Sequence, residues 1–241
     1  MDTLKFILDR YHLTPENWDV LPIPIKGAQR THLGSLFADL GFTKGAEVGV
    51  WRGQFSEVLL QANPKLHMTC VDPWVSYKAY VDHTRHDLIA EAYAEAQRRL
   101  SQYPTTIIRK FSVDAAQDVP DGSLDFVYID GNHSFQDVVN DLCVWSRKVR
   151  PGGIISGHDY KSFRRDLNIH VVEAVHGFVR ANYIAPWFVL GRAKVRRSEY
   201  RDAERSFLWV NPEPARSDEG QLLHALEGAM SHGFFGRERV L

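Results

Sequence analysis

Short apolar runs alternate with helix-forming segments between Lys44 and Asp159. Strands are predicted for five of the apolar runs, which are AEVGVW, HMTCVDPW, TTIIRKFS, LDFVYID and GGIISGHD. Helices are predicted for the segments SEVLLQA, EAYAEAQRRLSQY and SFQDVVNDLCVWSRKV, which carry strong helix formers or apolar positions three to four residues apart. Such alternation is typical of a parallel sheet with helices on both faces, joined by right-handed crossovers.

The pattern changes at both ends of this alternation. Residues 1–43 predict two helices separated by the extended, proline-containing segment LPIPIKG, and we interpret them as a helical arm or lid. After Asp159, a helix is predicted over NIHVVEAVHGFVRA, followed by an antiparallel strand pair over APWFVLG and RSFLWVN at the sheet edge. The predicted fold is α/β and Rossmann-like: a seven-stranded, mostly parallel sheet over residues 44–212, with helices on both faces, an antiparallel edge hairpin and a tail over 213–241.

Composition narrows the class of protein. The formal net charge is −1, which gives no bulk attraction to nucleic acid or to a membrane surface. The start of the chain lacks the features of a signal peptide, and no run approaches the ~20 apolar residues of a membrane span, so we expect a cytoplasmic protein. The two cysteines, Cys70 and Cys143, lie in apolar runs and are predicted to be buried core residues.

A glycine-containing turn follows the first strand of the alternation. Gly49 and Gly53 would let the backbone approach a ligand closely, and the next helix would present its unpaired N–H groups there. Two glycines can also simply ease a tight turn from strand to helix. The dinucleotide fingerprint G-x-G-x-x-G is not present in this turn, and Glu47 inside the apolar strand needs a partner for its carboxylate.

An acidic residue ends the second strand. Asp72 follows the glycine turn by about 20 residues, where a carboxylate can accept both ribose hydroxyls of an adenosine. Asp72 could instead be a turn residue before Pro73. Taken together, the turn and the acid favour a ligand that contains adenosine but no phosphates.

Carboxylates and imidazoles follow two later strands at the point where each strand ends. Asp130 and His133 follow the run LDFVYI, and His158 and Asp159 follow GGIISG. Because the carboxyl ends of parallel strands lie along one edge of a sheet, we expect these side chains to converge. Structural alternatives stay open: Asp130 could only bind the cofactor, His133 could belong to a helix cap, and the other two could be a loop pair without chemistry.

Four segments of the chain resemble the successive motifs of class I S-adenosylmethionine (SAM)-dependent methyltransferases: AEVGVWRGQFS, VDPW, LDFVYIDGNHS and RPGGIISGHDY. More narrowly, they are similar to the branch that includes macrocin-type sugar O-methyltransferases and related small-molecule enzymes. The resemblance covers roughly residues 44–160, and it implies that 44–212 is the catalytic domain.

The resemblance implies a place along the cofactor for each motif residue. SAM contacts are implied for Glu47, Gly49, Gly53, Asp72, Ser112, Asp114 and Asp130. Asp72 would hold the ribose, and Ser112 or Asp114 would lie near the adenine. Asp130 would border both the methionine part and the reacting centre. Trp74 could cover the edge of the adenine, or it could be a surface aromatic that packs on a helix.

The resemblance also implies a catalytic arrangement. Asp130 and Asp159 would hold a divalent cation such as Mg²⁺, and His133, next to Asp130, would be the general base. His158 stands where that family commonly has a carboxylate, and as a third ligand it would suit Mn²⁺, Fe²⁺ or Zn²⁺ better than Mg²⁺. The cation would lower the pKa of an acceptor hydroxyl, and a neutral histidine would accept its proton. Methyl transfer does not require a metal, because positioning can supply much of the acceleration.

These features predict an O-methyltransferase that acts on a hydroxyl of a small molecule, a sugar or a phenol. The alternatives are a metal-independent N-methyltransferase and a non-catalytic SAM-binding module. The expected partner is a small-molecule acceptor, with no nucleic acid and no membrane, and the N-terminal helices could support a homodimer. The basic stretch Arg192–Arg205 is predicted to be a solvated hairpin, with a patch that steers an anionic acceptor as the alternative.

Overall fold

Strands and helices alternate along the chain as the hydrophobic pattern predicts. The computed structural model describes residues 2–14, 21–76, 86–161, 169–191 and 205–212. The strands in these ranges are β1 (Ile23–Ile25), β2 (Lys44–Val48), β3 (His67–Val71), β4 (Thr105–Ile108), β5 (Leu124–Ile129), β6 (Val149–Gly157), β7 (Phe188–Leu190) and β8 (Ser206–Val210). The helices are α1 (Thr3–Arg10), α2 (His32–Asp39), α3 (Gln54–Ala62), α4 (His86–Leu100), α5 (Ser112–Ala115), α6 (Phe135–Trp145) and α7 (Val171–Ala181).

The strands of the described chain form one eight-stranded sheet in the order β1-β7-β8-β6-β5-β2-β3-β4. Strand β8 runs antiparallel to β6 and β7, and the remaining neighbours are parallel. The chain passes from β2 outward through β3 to β4 and then returns to the other side of β2 with β5. Strand order therefore reverses between β2 and β5, and a ligand is expected beyond the carboxyl ends of these two strands.

The predicted fold class is confirmed, with one change at the edge of the sheet. The antiparallel pair β7–β8 forms as predicted, with Phe188 opposite Leu208. This hairpin does not end the sheet, because β1 pairs in parallel with β7 and places Ile23 opposite Phe188. The prolines of LPIPIKG exclude a helix but permit an edge strand, where the missing N–H of Pro24 leaves no gap in an inner ladder. The extended segment is therefore an eighth strand.

Apolar cores lie on the two faces of the sheet. Phe126 and Tyr128 of β5 pack with residues of α1 to α4, whereas Val127 and Ile129 pack with residues of α5 to α7. Successive side chains of a strand point to opposite faces, so β5 is buried on both sides. This position at the centre of the sheet explains why the sequence LDFVYI is almost continuously apolar.

The two cysteines differ from each other in burial. Cys70 is buried, as predicted, whereas Cys143 is exposed, and the prediction for Cys143 was wrong. Cys143 lies in α6, whose buried residues are Val138, Asp141, Leu142 and Trp145. The helical period turns position 143 away from this stripe, although its sequence neighbours are apolar.

Some predictions concern segments that the structure does not describe. The interior of the basic stretch, residues 192–204, and the tail 213–241 lie outside the described residues. Within the described ranges, no helix is long and apolar enough to cross a membrane. The boundary of the catalytic domain after residue 43 stays a prediction, although β1 joins the sheet and Leu36 and Phe37 of α2 lie in the core beside α3.

Candidate active site

An open cleft lies at the carboxyl edge of the sheet, where strand order reverses. The end of each of four strands contributes to its wall: Gly49 follows β2, Asp72 follows β3, Ser112 begins the helix after β4, and Asp130 follows β5. Clefts at such a switch point of an α/β sheet are common sites for small-molecule ligands. The other predicted cofactor residues, Glu47, Gly53 and Asp114, are not among the lining residues.

The glycine turn has a steric cause that the structure makes explicit. Gly49 has a φ of +94°, and a Cβ built on it would lie 2.0 Å from the backbone oxygen of Asp130. The ends of β2 and β5 therefore approach each other too closely for any side chain at this position. Gly53 has a φ of +72° and precedes α3, where a Cβ would meet the Leu100 side chain at 3.2 Å. The absence of a side chain at Gly53 thus lets the start of α3 pack closely against α4.

Asp72 connects two loops at the cleft wall. Its Oδ2 accepts a hydrogen bond from the Trp51 backbone N–H at 2.9 Å, and its Oδ1 accepts one from the Trp74 backbone N–H at 2.8 Å. A carboxylate oxygen can accept more than one hydrogen bond, so these bonds do not prevent a contact with a ligand. Asp72 therefore lines the cleft, and its contact with a ribose stays a prediction.

Trp74 lines the cleft and packs on a helix, but it is buried and not at the surface. Its ring lines the cleft, is only 2% exposed, and lies 4.8 Å from the Tyr93 ring of α4. The indole N–H donates to the backbone oxygen of Trp51 at 2.8 Å. The other apolar residues of the rim, Val75, Phe111 and Val113, are exposed and offer apolar surface for a flat ring.

Asp141 is a cleft residue that the sequence analysis missed. It lies in α6, is 4% exposed, and accepts a hydrogen bond from the Ser112 hydroxyl, which in turn accepts one from the Trp145 indole at 2.8 Å. Burial raises the pKa of Asp141 to about 7. A signal was available, because positions 138, 141, 142 and 145 form one helical stripe and Asp141 is the acid within it. By contrast, Asp114 is exposed.

Glu47 lies behind the cleft rather than in its wall. The side chain is 2% exposed and accepts a hydrogen bond from the Ser56 hydroxyl, which also lies 3.6 Å from the Cys70 sulfur. Burial, assisted by the nearby charge of Asp130, raises the pKa of Glu47 to about 8. The carboxyl therefore has the partner that its place in an apolar strand requires, and this partner is a protein side chain.

The raised pKa of Glu47 predicts a pH dependence of stability. An unfolded glutamate loses its proton near pH 4.5, whereas the folded protein keeps it to about pH 8. The folded state binds more protons in this window, so Glu47's contribution to stability is complete below pH 4.5 and is lost by about pH 8. A neutral amide avoids this loss. At pH 8, Glu47→Gln should therefore have a higher free energy of unfolding than wild type, by several kcal/mol at most, and it should unfold at a higher urea concentration. At pH 5, the variant and wild type should unfold at similar urea concentrations.

Urea unfolding at both pH values, with the largely exposed Glu91→Gln as control, measures this effect. An equal advantage of Glu47→Gln over wild type at pH 5 and pH 8 would show that Glu47 does not cause the pH dependence.

A polar cluster adjoins the cleft at Asp130, beyond the ends of β5 and β6. His133 Nε2 lies 2.9 Å from Asp159 Oδ2. His158 Nδ1 lies 3.3 Å from the same oxygen and 3.4 Å from Asp130 Oδ1. The structure therefore brings together the four side chains that the sequence predicts to converge. Asp159 has a φ of +52°, an uncommon conformation for a residue with a side chain and one that is enriched at functional sites.

The charges of this cluster are strongly coupled. Burial opposes the charge of His158, but the carboxylates of Asp130 and Asp159 outweigh it and raise the pKa of His158 to about 10. Burial likewise opposes ionisation of Asp159, but hydrogen bonds to His133 and His158 hold the pKa of Asp159 well below its usual range. The Nε2 atom of His158 is buried and has no hydrogen-bond partner among the described residues.

Arg30 completes the cluster and was also missed from the sequence. It lies just before α2, and its Nη1 is 3.3 Å from Asp130 Oδ2, 100 residues away in the chain. The guanidinium carbon lies 4.9 Å from the centre of the Phe55 ring, in the geometry of a cation–π contact. No local motif marks Arg30, because only the packing of the N-terminal segment on the sheet brings it here.

The arrangement does not fit a resident divalent cation, although three ligand atoms lie near one another. One atom each of Asp130, His133 and Asp159 lies within 4.8 Å of the other two. However, Arg30 and His158 already pair with Asp130, and both histidines pair with Asp159. A cation would have to displace partners that the protein itself supplies, at a partly buried site where lost charge pairs are costly.

The cleft and the strand order together define the class of this protein. The strand order reverses between β2 and β5, a glycine bend follows β2 and an acid follows β3, which is the arrangement expected of class I SAM-dependent methyltransferases. Residues 46–160 match the family Methyltransf_24, described as a methyltransferase domain. Residues 46–160 thus carry a methyltransferase domain, as the motifs predict.

Other known proteins resemble the chain in fold and, over a short segment, in sequence. Cofactor-bound Rv0187 from MTB superimposes with a TM-score of 0.56 at 16% identity, covering 88% of this chain and 90% of that one. TomG of Streptomyces achromogenes, an O-methyltransferase in complex with SAM, gives 0.55 at 14% identity, with coverages of 76% and 80%. The uncharacterized protein y4gI of Sinorhizobium fredii is 31% identical over 71 residues, so the match spans 29% of this chain and only 8% of that protein.

Proposed function

We propose that this protein transfers the methyl group of SAM to a hydroxyl of a small molecule, a sugar or a phenol. The observation that carries the proposal is the His133–Asp159 pair, 2.9 Å apart, beside Asp130 at the end of the cleft. A methyl acceptor with a hydroxyl needs a base next to the reacting centre, and a histidine held by a carboxylate is such a base. The likeness to a solved O-methyltransferase, at low identity, agrees with this choice without defining the acceptor.

The residues of the cleft suit the parts of SAM. Asp72 has acceptor capacity for the two ribose hydroxyls, and Gly49 leaves room at the end of β2 beside Asp130. Val75, Phe111 and Val113 provide apolar surface for the adenine, next to the carboxyl of Asp141. When bound, SAM supplies a methyl group on a positively charged sulfur.

The side chains of the polar cluster perform the remaining tasks. His133 would take the proton that the acceptor hydroxyl loses, and SAM would supply the methyl group. Asp159 orients the imidazole and stabilises its charge after it takes the proton. Asp130 borders both the cleft and the cluster, so it connects cofactor binding with the acceptor side.

Calorimetric titration with S-adenosylhomocysteine (SAH) tests the cofactor assignment without knowledge of the acceptor. Asp72→Asn should raise the dissociation constant by about 10- to 100-fold, because hydrogen bonds to a charged group are worth about 1.5–3 kcal/mol. The amide keeps one acceptor oxygen for the two backbone N–H groups and loses the other. Asp114→Asn is the control, because this exposed acid follows Val113 of the rim but does not line the cleft.

Failure of the wild-type protein to bind SAH would overturn the proposal. Equal weakening of SAH binding by Asp72→Asn and Asp114→Asn would show that Asp72 has no specific contact with the cofactor. A screen of sugars and phenols for SAH release would then identify the acceptor, and turnover with amines alone would favour the N-methyltransferase alternative.

A further inference from the structure

Arg30 has a position that the proposed function leaves unexplained. We propose that its guanidinium takes the place and the charge of a divalent cation at Asp130, so that methyl transfer in this protein proceeds without a metal ion. The inference rests on the proposed function, because it concerns the acceptor side of the same site. Arg30 is a positioning residue in this scheme: it acts by holding Asp130.

The first support is the seating of the Arg30 side chain. It is 16% exposed, with Nη1 at 3.3 Å from Asp130 Oδ2 and the guanidinium carbon 4.9 Å from the centre of the Phe55 ring. Phe55 is itself 6% exposed, so the guanidinium lies on a fixed apolar surface. An arginine is charged at every physiological pH, and it can bind a carboxylate and an aromatic face at once. The folded chain itself therefore supplies the positive charge beside Asp130.

The second support is that Asp130 is engaged on both of its oxygens. Arg30 pairs with Oδ2, and His158 Nδ1 lies 3.4 Å from Oδ1. The second carboxylate, Asp159, is contacted by His133 at 2.9 Å and by His158 at 3.3 Å. A metal ion at Asp130 would meet a like charge on Arg30 within a few ångströms, and it would have to separate a partly buried pair.

The consequence for the reaction is a fixed electrostatic environment at the end of β5. Asp130 borders the cleft, and Arg30 holds its carboxylate in one orientation while compensating its charge. In a metal-dependent enzyme this compensation depends on uptake of the ion, whereas here it is built into the chain. An ordinary structural ion pair would make the same contact, so the test has to measure the exclusion of a cation.

Binding of Mn²⁺ to the full chain, followed by electron paramagnetic resonance of free Mn²⁺, provides that measurement. Wild type should not bind Mn²⁺ detectably at submillimolar concentrations. Arg30→Gln removes the charge and should bind Mn²⁺ at least about tenfold more tightly, because Asp130 then loses the cation that pairs with its Oδ2. Arg30→Lys keeps the charge and should exclude the ion as wild type does. Arg10→Gln is the matched control, since Arg10 pairs with Asp39 on the surface of the same N-terminal segment.

Several outcomes would overturn the inference. These are Mn²⁺ binding by wild type as tight as that of Arg30→Gln, no gain in Arg30→Gln, or an equal gain in Arg30→Lys. SAH titration of each variant is done in parallel, and retained SAH binding shows that the variant is folded. If wild type itself does not bind SAH, the result counts against the proposed function and not against the role of Arg30. Once an acceptor is known, wild-type turnover should survive dialysis against a chelator, and Mn²⁺ should restore part of the activity of Arg30→Gln.

Discussion

Replacing His133 by alanine is expected to lower kcat for methyl transfer by about 10²- to 10⁴-fold, the usual contribution of a positioned general base. The acceptor hydroxyl would lose the group that takes its proton, while the cleft wall would keep its shape, because His133 does not line the cleft. SAH affinity should therefore stay close to that of wild type. Asp159→Asn should also lower kcat, since the amide can keep the contact with His133 but no longer stabilises the charged imidazole.

The measurement is SAH release with an acceptor found by screening, together with calorimetric SAH binding by each variant. His67→Ala serves as the control, because His67 is exposed at the opposite end of β3 and contacts Thr106. A parallel loss of kcat and SAH affinity in His133→Ala would indicate a disturbed cleft rather than a missing base. Unchanged kcat would remove His133 from the mechanism.

Gly49→Ala is expected to destabilise the fold more than other single substitutions considered above. The positive φ of +94° strains any residue with a side chain, and the new Cβ would lie 2.0 Å from the Asp130 backbone oxygen. This oxygen belongs to the central strands and cannot move without disturbing them. We expect a loss of more than about 4 kcal/mol, a large part of the ~5–15 kcal/mol that stabilises a typical domain.

Gly27→Ala separates strain from collision. Gly27 has a φ of +80°, but a Cβ there would meet nothing within 4 Å, so this variant should lose only about 1–2 kcal/mol. Urea unfolding of both variants gives the comparison. Similar losses in the two variants would contradict the close approach of β2 and β5, and with it the steric reason for a glycine in the cleft.

The sequence predicted the parts of the site that depend on strand ends. Asp72 and Asp130 each follow an apolar run, and the edge at which parallel strands end is fixed by the alternation of strands and helices. The same reasoning predicted that His133, His158 and Asp159 lie near one another, and their ion pairs agree with it. The roles proposed for them remain predictions.

The sequence was less informative where a residue's surroundings come from distant parts of the chain. Glu47 sits in the predicted strand, but whether its carboxyl faces the cleft or Ser56 depends on the packing of α3. Cys143 lies in an apolar run, yet the rotation of α6 exposes it. The extended segment before α2 gave no sign of its partner, and β1 joins the sheet only through the register of β7.

The alternation of apolar runs and helix-forming segments determined by itself that this protein is a parallel α/β fold with a ligand cleft at one edge, because periodicity and strand ends are local properties. Tertiary structure decided the rest. It brought Arg30 to Asp130 across 100 residues of chain and paired β1 with β7. Such contacts follow from how helices and segments pack on the sheet, and no local pattern of residues encodes that packing.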